Sequence, residues 1–185
     1  MKNWLLLVAI ICSLTRLPGQ AELSGIINRY AKVEAIDFCT AQLQVDDAAW
    51  LQPGMDVLII QMQGAAIQGD DTPGFGVLTD PGAAGRYEIA TIEAINGTTV
   101  ELAYAFLHDY DAAGSVQLVS MPRYDDATVT APLTVQPWDG ATGGVLLLQV
   151  DGTLTLRPGV NIDVSGQGFR GGPSDVIQDT ECGFG

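Results

Sequence analysis

The single histidine, His108, stands in Leu-His-Asp-Tyr-Asp beside Asp109 and Asp111, a grouping that could serve general-base chemistry. A hydrolytic triad needs a nucleophile, a base and an orienting acid. No Gly-x-Ser-x-Gly elbow supplies the nucleophile, and Ser165, in Val-Ser-Gly-Gln-Gly, has the wrong spacing. His108 is therefore read as a loop residue. A zinc site needs several His, Cys or acidic ligands, and one His with the distant Cys39 and Cys182 does not make that set. The run Gly166 to Gly172 follows a strand-like segment but leads into no helix, so it fails the context of a dinucleotide loop. No catalytic residue and no cofactor site is assigned on this basis.

Aspartates occur in pairs: Asp46-Asp47, Asp70-Asp71, Asp109 with Asp111, and Asp125-Asp126. Two carboxylates can hydrolyse a glycosidic bond, and clusters of them hold Ca²⁺ in extracellular loops, so weak Ca²⁺ binding stays open. No EF-hand loop is present, and solvated turn aspartates are the simpler reading, because Asp is a common turn residue. Trp50, Trp138 and the tyrosines are candidates for a saccharide platform. Trp138, in the loop Pro-Trp-Asp-Gly, is the candidate ligand contact; the competing reading makes such a ring a plug at the end of a β core.

The elements that must position these residues are strands. Twenty-two glycines and nine prolines punctuate short runs rich in Val, Ile, Leu, Thr and Tyr, which is the pattern of a mostly-β protein. Residues 23–30 read as a first strand or a short lead-in, and strands are expected over 38–45, 57–63 and 116–121, with a long loop over 64–85. Asn96-Gly97 between the runs 87–95 and 98–104 predicts a two-residue hairpin turn in which both residues take positive φ. From Thr128 onward short β runs end in glycine turns at roughly 8-residue spacing. Two arrangements fit them: an antiparallel meander, or the start of a parallel β-solenoid.

The first 21 residues have a secretory layout: Lys2, the apolar run Trp4 to Leu14, then a polar stretch ending in small residues at Gly19 and Ala21. The apolar run is too short to span a bilayer core of about 30 Å. The membrane is thus a partner only during export, and the mature chain is expected to be secreted or at the cell surface. Removing Lys2 and Arg16 with this segment leaves six basic against 22 acidic side chains, a net charge of −16. Such a surface repels phosphates, which excludes nucleic acid as a partner class. In an oxidising compartment Cys39 and Cys182 are candidates to pair, or they stay as separate thiols.

The expected organisation is a signal peptide (1–21), a small barrel-like or sandwich-like β module (22–125), and Gly-rich β-strand repeats (126–185). The last part ends in mid-pattern at Glu181-Cys-Gly-Phe-Gly185. A stacked repeat needs a capped end, so the chain is expected to be the N-terminal piece of a longer one.

Four stretches carry a family resemblance: Leu51-Gln-Pro-Gly-Met-Asp-Val-Leu-Ile-Ile-Gln61, Gly85-Arg-Tyr-Glu88, the Pro-Trp-Asp-Gly-Ala-Thr-Gly-Gly run at 137–144, and Ile162-Asp-Val-Ser-Gly-Gln-Gly-Phe-Arg-Gly-Gly172. Their order resembles the N-terminal region of large secreted surface proteins of the Bacteroidetes type. The resemblance implies a multidomain, adhesin-like exported protein, often one sorted by gliding-motility or type IX secretion machinery. It brings no catalytic residues. The function expected is a non-enzymatic surface module whose partners are the rest of its own chain, surface polysaccharide or other surface proteins. The alternative is the N-terminal part of a carbohydrate-active β-helix enzyme or a carbohydrate-binding protein.

Mass spectrometry of the exported protein is expected to find a mature N-terminus close to Glu22. An intact Met1 in the exported pool would contradict the signal reading.

Overall fold

A computed structural model describes residues 20–170. Residues 1–19 of the stretch expected as a signal segment, and Cys182, lie outside the described residues; Ala21, the last residue of that stretch, opens the first strand. Among the described residues thirteen strands follow one another: β1 (Ala21–Ile26), β2 (Tyr30–Asp37), β3 (Gln42–Val45), β4 (Asp56–Gln61), β5 (Ala66–Ile67), β6 (Leu78–Asp80), β7 (Tyr87–Asn96), β8 (Thr99–Leu102), β9 (Val116–Ser120), β10 (Arg123–Tyr124), β11 (Ala127–Thr134), β12 (Gln149–Val150) and β13 (Leu154–Leu156). Helix among the described residues is confined to one 3-10 turn, Ala112–Gly114.

Six strands close into an antiparallel barrel in the order β2-β3-β8-β7-β4-β9, with β9 returning to β2. Period-2 alternation explains why. Ala31 and Val33 of β2, Leu43 and Val45 of β3, Val57 and Ile59 of β4, Val100 and Leu102 of β8, and Val116 and Leu118 of β9 are all buried in one core. Closure leaves no strand edge to template association. The interior is filled with side chains, as a barrel this narrow requires. β9 is buried at all five positions, because its second face is also covered, by the segment that follows β11.

The rest of the described chain forms a parallel sheet, β1-β11-β13, with a parallel pair β10-β12 beside it. Its separate core contains Leu23, Ala127, Val129 and Leu133, with Leu146, Leu148 and Val160 packed against it. β1, placed in the barrel module at 22–125 from sequence, therefore belongs to this sheet. Its pairing residues Ala21, Glu22 and Leu23 align with Ala127, Thr128 and Val129. The whole barrel is thus an insertion between two hydrogen-bonded neighbours of one sheet. Sequence could not show this, since parallel pairing joins segments about a hundred residues apart.

The later runs do not form an antiparallel meander. Ala127 pairs with Leu154, Arg123 with Gln149 and Leu133 with Ile162, all parallel. Each short run stacks on a segment 26 to 29 residues earlier, not on the run 8 residues away. Pro132 stands in β11 where the register with β1 slips between Leu23 and Gly25, and a bulge of this kind tolerates the missing N–H.

Three local expectations shift. The strand expected from Phe38 begins at Gln42, because residues 38–41 turn, with the Asp37 carboxylate accepting the Cys39 and Thr40 N–H groups. The long loop carries a small hairpin, β5 with β6, that exposes Ile67, Phe75, Val77 and Leu78. The β7–β8 hairpin forms, but its loop is Gly97-Thr98. Asn96 pairs with Thr99 as the last strand residue, and only Gly97, at φ 63°, is left-handed. That fits a type II′ turn, in which the first central residue alone needs positive φ.

Replacing Gly97 by Val is expected to destabilise the chain by about 1–2 kcal/mol, the cost of a left-handed β-branched residue. A urea melt checks it. An unchanged midpoint would mean that the turn relaxes to another type.

Candidate functional site

The turn aspartates are engaged with backbone rather than with one another. Asp139 Oδ1 accepts the N–H groups of Ala141 and Thr142, both at 2.8 Å. These bonds, Thr142 first, hold its carboxyl below the usual range. The Ser165 side chain and N–H do the same for Asp163, and Thr40 and Cys39 for Asp37. Asp46 Oδ1 accepts the N–H of Lys32 and of Asp47, and Asp47 Oδ1 that of Ala49. Among the described residues no three His, Cys, Asp or Glu side chains converge on a common point.

His108 is exposed, edge-on to Tyr110 with ring centroids 6.3 Å apart. Ser165 spends its backbone N–H on Asp163 and has no histidine beside it among its hydrogen bonds. Cys39 is an exposed free thiol among the described residues, and its expected partner Cys182 falls outside them.

Trp138 is half-buried. Its ring meets Phe169 edge to face at 5.4 Å, and its backbone N–H donates to Gln167 O. The loop carrying it is pinned from behind. Gly143 has φ 105°, and a Cβ there would lie 2.6 Å from Pro137 O. Its N–H and carbonyl are both taken by the side chain of Gln117, reaching out from β9 at 2.8 and 3.1 Å. Trp138 thus sits in a pinned loop that follows β11, with one aromatic neighbour, Phe169.

Two polar constellations were not visible in the sequence. The first lies inside the barrel. Glu88 is buried on the inward face of β7; its Oε2 accepts the Leu107 N–H at 2.8 Å, and its Oε1 has no partner. Tyr110 is buried beside it, with an unpartnered hydroxyl. Burial, and then the Glu88 carboxylate, push the Tyr110 phenol well above its ordinary value.

The second lies at the seam between the barrel and the parallel sheet. Asn28, buried at 5% exposure, donates through Nδ2 to Ser120 O and Leu147 O, and its Oδ1 accepts the Leu147 N–H. The next residue but one, Tyr30, donates its hydroxyl to Val145 O at 2.8 Å. Burial pushes Tyr30 up to about 12, partly offset by the Gln136 backbone N–H. Beside these residues opens a cleft of about 310 Å³ whose wall includes Trp50, Arg29, Asp47 and Gln136. Trp50 also packs against the barrel core, and its Nε1 is buried without a partner. The only sequence signal for this cleft is Trp50; the other residues come from three separate segments.

No family model matches the chain, and no curated protein matches it. Among solved structures, it is similar to the gp54 tailspike of Acinetobacter baumannii bacteriophage AP22, in complex with A. baumannii capsular saccharide. Identity is 10% over 71% of this chain and 23% of that chain, with a TM-score of 0.36. It is also similar to the tailspike protein gp49 of Pseudomonas phage LKA1, with 13% identity over 76% of this chain and 23% of that one, at a TM-score of 0.34. The chain spans less than a quarter of the length of either tailspike.

The raised tyrosines set a pH dependence. A phenol whose folded pKa exceeds its unfolded value of about 10 stabilises the fold fully below pH 10. That stability is lost as pH climbs from 10 through the folded value, about 12 for Tyr30. Thermal melts are therefore expected to fall steeply above pH 10, and Tyr30→Phe to flatten that fall while costing about 0.5–1.5 kcal/mol at neutral pH for the lost hydrogen bond. The same alkaline slope in parent and variant would remove Tyr30 as a cause.

Proposed function

We propose that this chain is a non-enzymatic module of an exported, cell-surface protein, adhesin-like or structural, in which the barrel braces the first strands of a parallel β stack. The observation that carries the reading is the insertion of the barrel between β1 and β11, two neighbours in one parallel sheet. A domain inserted there is joined to β1 at one end and leads back to β10 and β11 at the other, and so braces the first strand in register. Side-chain amides tie the two parts together: Asn28 to Ser120 and Leu147, and Gln117 to Gly143.

The 26- to 29-residue offset between parallel partners is the spacing of stacked-repeat proteins, whose repeats run about 20–45 residues. A stack of that kind is stabilised by the next rung. Leu156 at the end of β13, and Ile162 and Val164 after it, are exposed apolar side chains on which a further rung would rest. The remainder of the chain is accordingly the first partner in this reading, and a secretory route of the type IX kind fits the resemblance to Bacteroidetes surface proteins. The acidic side chains support a structural role, since so many of them hold turns rather than face one another.

No helix among the described residues is long and apolar enough to cross a membrane.

The test uses two single-tryptophan forms of the mature chain, Trp138→Phe reporting from the barrel side and Trp50→Phe from the parallel sheet. Both are expected to unfold at the same urea concentration. Adding Asn28→Ala and Gln117→Ala leaves buried carbonyls and N–H groups unsatisfied, at about 1–3 kcal/mol each, and is expected to split the two transitions. Separate midpoints in the parent chain would overturn the bracing role. Release of reducing ends from a polysaccharide by the parent chain would overturn the non-enzymatic one.

A further inference from the structure

The seam cleft is furnished for a ligand in a way the bracing role does not require. Asn28 spends both ends of its amide on backbone groups, and Tyr30 its hydroxyl on Val145, so these two are framework. The remaining polar groups are not spent. Arg29 is exposed and makes no ion pair among the described residues, while its backbone N–H is fixed by Ser120 Oγ at 2.9 Å. Asp47 uses Oδ1 for the Ala49 N–H and keeps Oδ2. Gln136 directs Nε2 toward Asp139 and Thr142 and keeps its carbonyl oxygen. Between them stand two aromatic rings, Tyr30 and Trp50, the latter with a buried N–H that has no acceptor.

Donors and acceptors in planar side chains beside aromatic faces call for a ligand with the same mixed character. It must have an apolar face for the rings and several hydroxyls that both donate and accept. We propose that this cleft binds one neutral hexopyranose unit of an oligosaccharide. The volume, about 310 Å³, lies at the small end of ligand pockets and suits a ring-sized group rather than a folded partner. The charge decides against acidic sugars. Asp47 lines the cleft, and the mature surface is strongly negative, so a polyanion meets repulsion that the single Arg29 does not offset. Arg29 and Asp47 serve neutral vicinal hydroxyls, one as donor and the other as acceptor. The site lies outside the barrel, on the outward face of β2, so it needs no opening of either core. This inference stands apart from the bracing role and survives its failure.

The test uses the mature chain carrying Trp138→Phe, in which Trp50 is the remaining indole. Its fluorescence is titrated with cellohexaose, mannohexaose and maltohexaose, and with polygalacturonate as the anionic probe. At least one neutral probe is expected to shift the Trp50 emission and saturate at millimolar concentration or below. Arg29→Ala and Asp47→Ala, both at exposed positions, are each expected to weaken that binding about tenfold, equivalent to about 1.4 kcal/mol. In the parent chain, the amide resonances of Ala49 and Gln136 are expected to move on the same titration. This second readout needs no variant. Three results would overturn the proposal: no response to any neutral probe, equal binding by parent and both variants, or binding of polygalacturonate alone.

Discussion

The architecture hangs on the side-chain amides of Asn28 and Gln117. A closed barrel and a parallel sheet have no backbone ladder in common, so wherever their surfaces meet, carbonyl and N–H groups lose water without gaining a strand partner. An unpaired buried backbone group costs about 1–3 kcal/mol. Gln117 is wholly buried, and it projects from β9 away from the barrel core to take both the N–H and the carbonyl of Gly143. Asn28 does the same for Leu147 and also donates to the Ser120 carbonyl. A carboxamide carries a donor and an acceptor at one site, so it can stand in for a missing backbone neighbour. A hydroxyl or an apolar side chain would leave one of the two groups orphaned.

The two parts solve the edge problem differently. In the barrel, β9 returns to β2 and every strand has two neighbours. The parallel sheet has an outer strand, β13, and a single bridge from Leu133 to Ile162. Its apolar residues follow suit: Val129 and Leu133 are fully buried, while Leu156, Ile162 and Val164 are partly exposed. Burial is thus greatest at the central strand, β11, and falls toward both outer strands, where Ile26 of β1 and Leu156 of β13 are exposed.

The carboxylates of this chain serve its turns in several places. Catalytic acids draw their properties from burial or from one another. Here Asp37, Asp46, Asp47, Asp80, Asp111, Asp139 and Asp163 are tied to backbone N–H groups within a few residues, and the carboxyls of Asp37, Asp139 and Asp163 shift downward. Glu88 is the exception, buried beside Tyr110, and its second oxygen fixes Leu107. Unspent polar groups gather at the seam cleft, where Arg29, Asp47 and Gln136 border Trp50 and Tyr30.

The β class, the barrel strands β4 and β9 and the hairpin of β7 with β8 were legible from sequence, because alternation at a period of two and a glycine in a turn are local consequences of backbone geometry; β2 (Tyr30–Asp37) fell between the expected strands 23–30 and 38–45. Val57 and Ile59 face inward for the same reason that they alternate with polar or outward neighbours. Local rules located the hairpin but misplaced its loop by one residue, since an Asn-Gly pair fits two turn types and cross-strand packing selected Gly97-Thr98. Tertiary structure alone decided that β1 leaves the barrel, that the later runs stack at 26 to 29 residues, and that Trp50 rather than Trp138 faces unspent polar groups. Each of these depends on contacts between segments far apart in the chain. Parallel pairing and a cleft formed from three segments leave no periodic trace in any one of them.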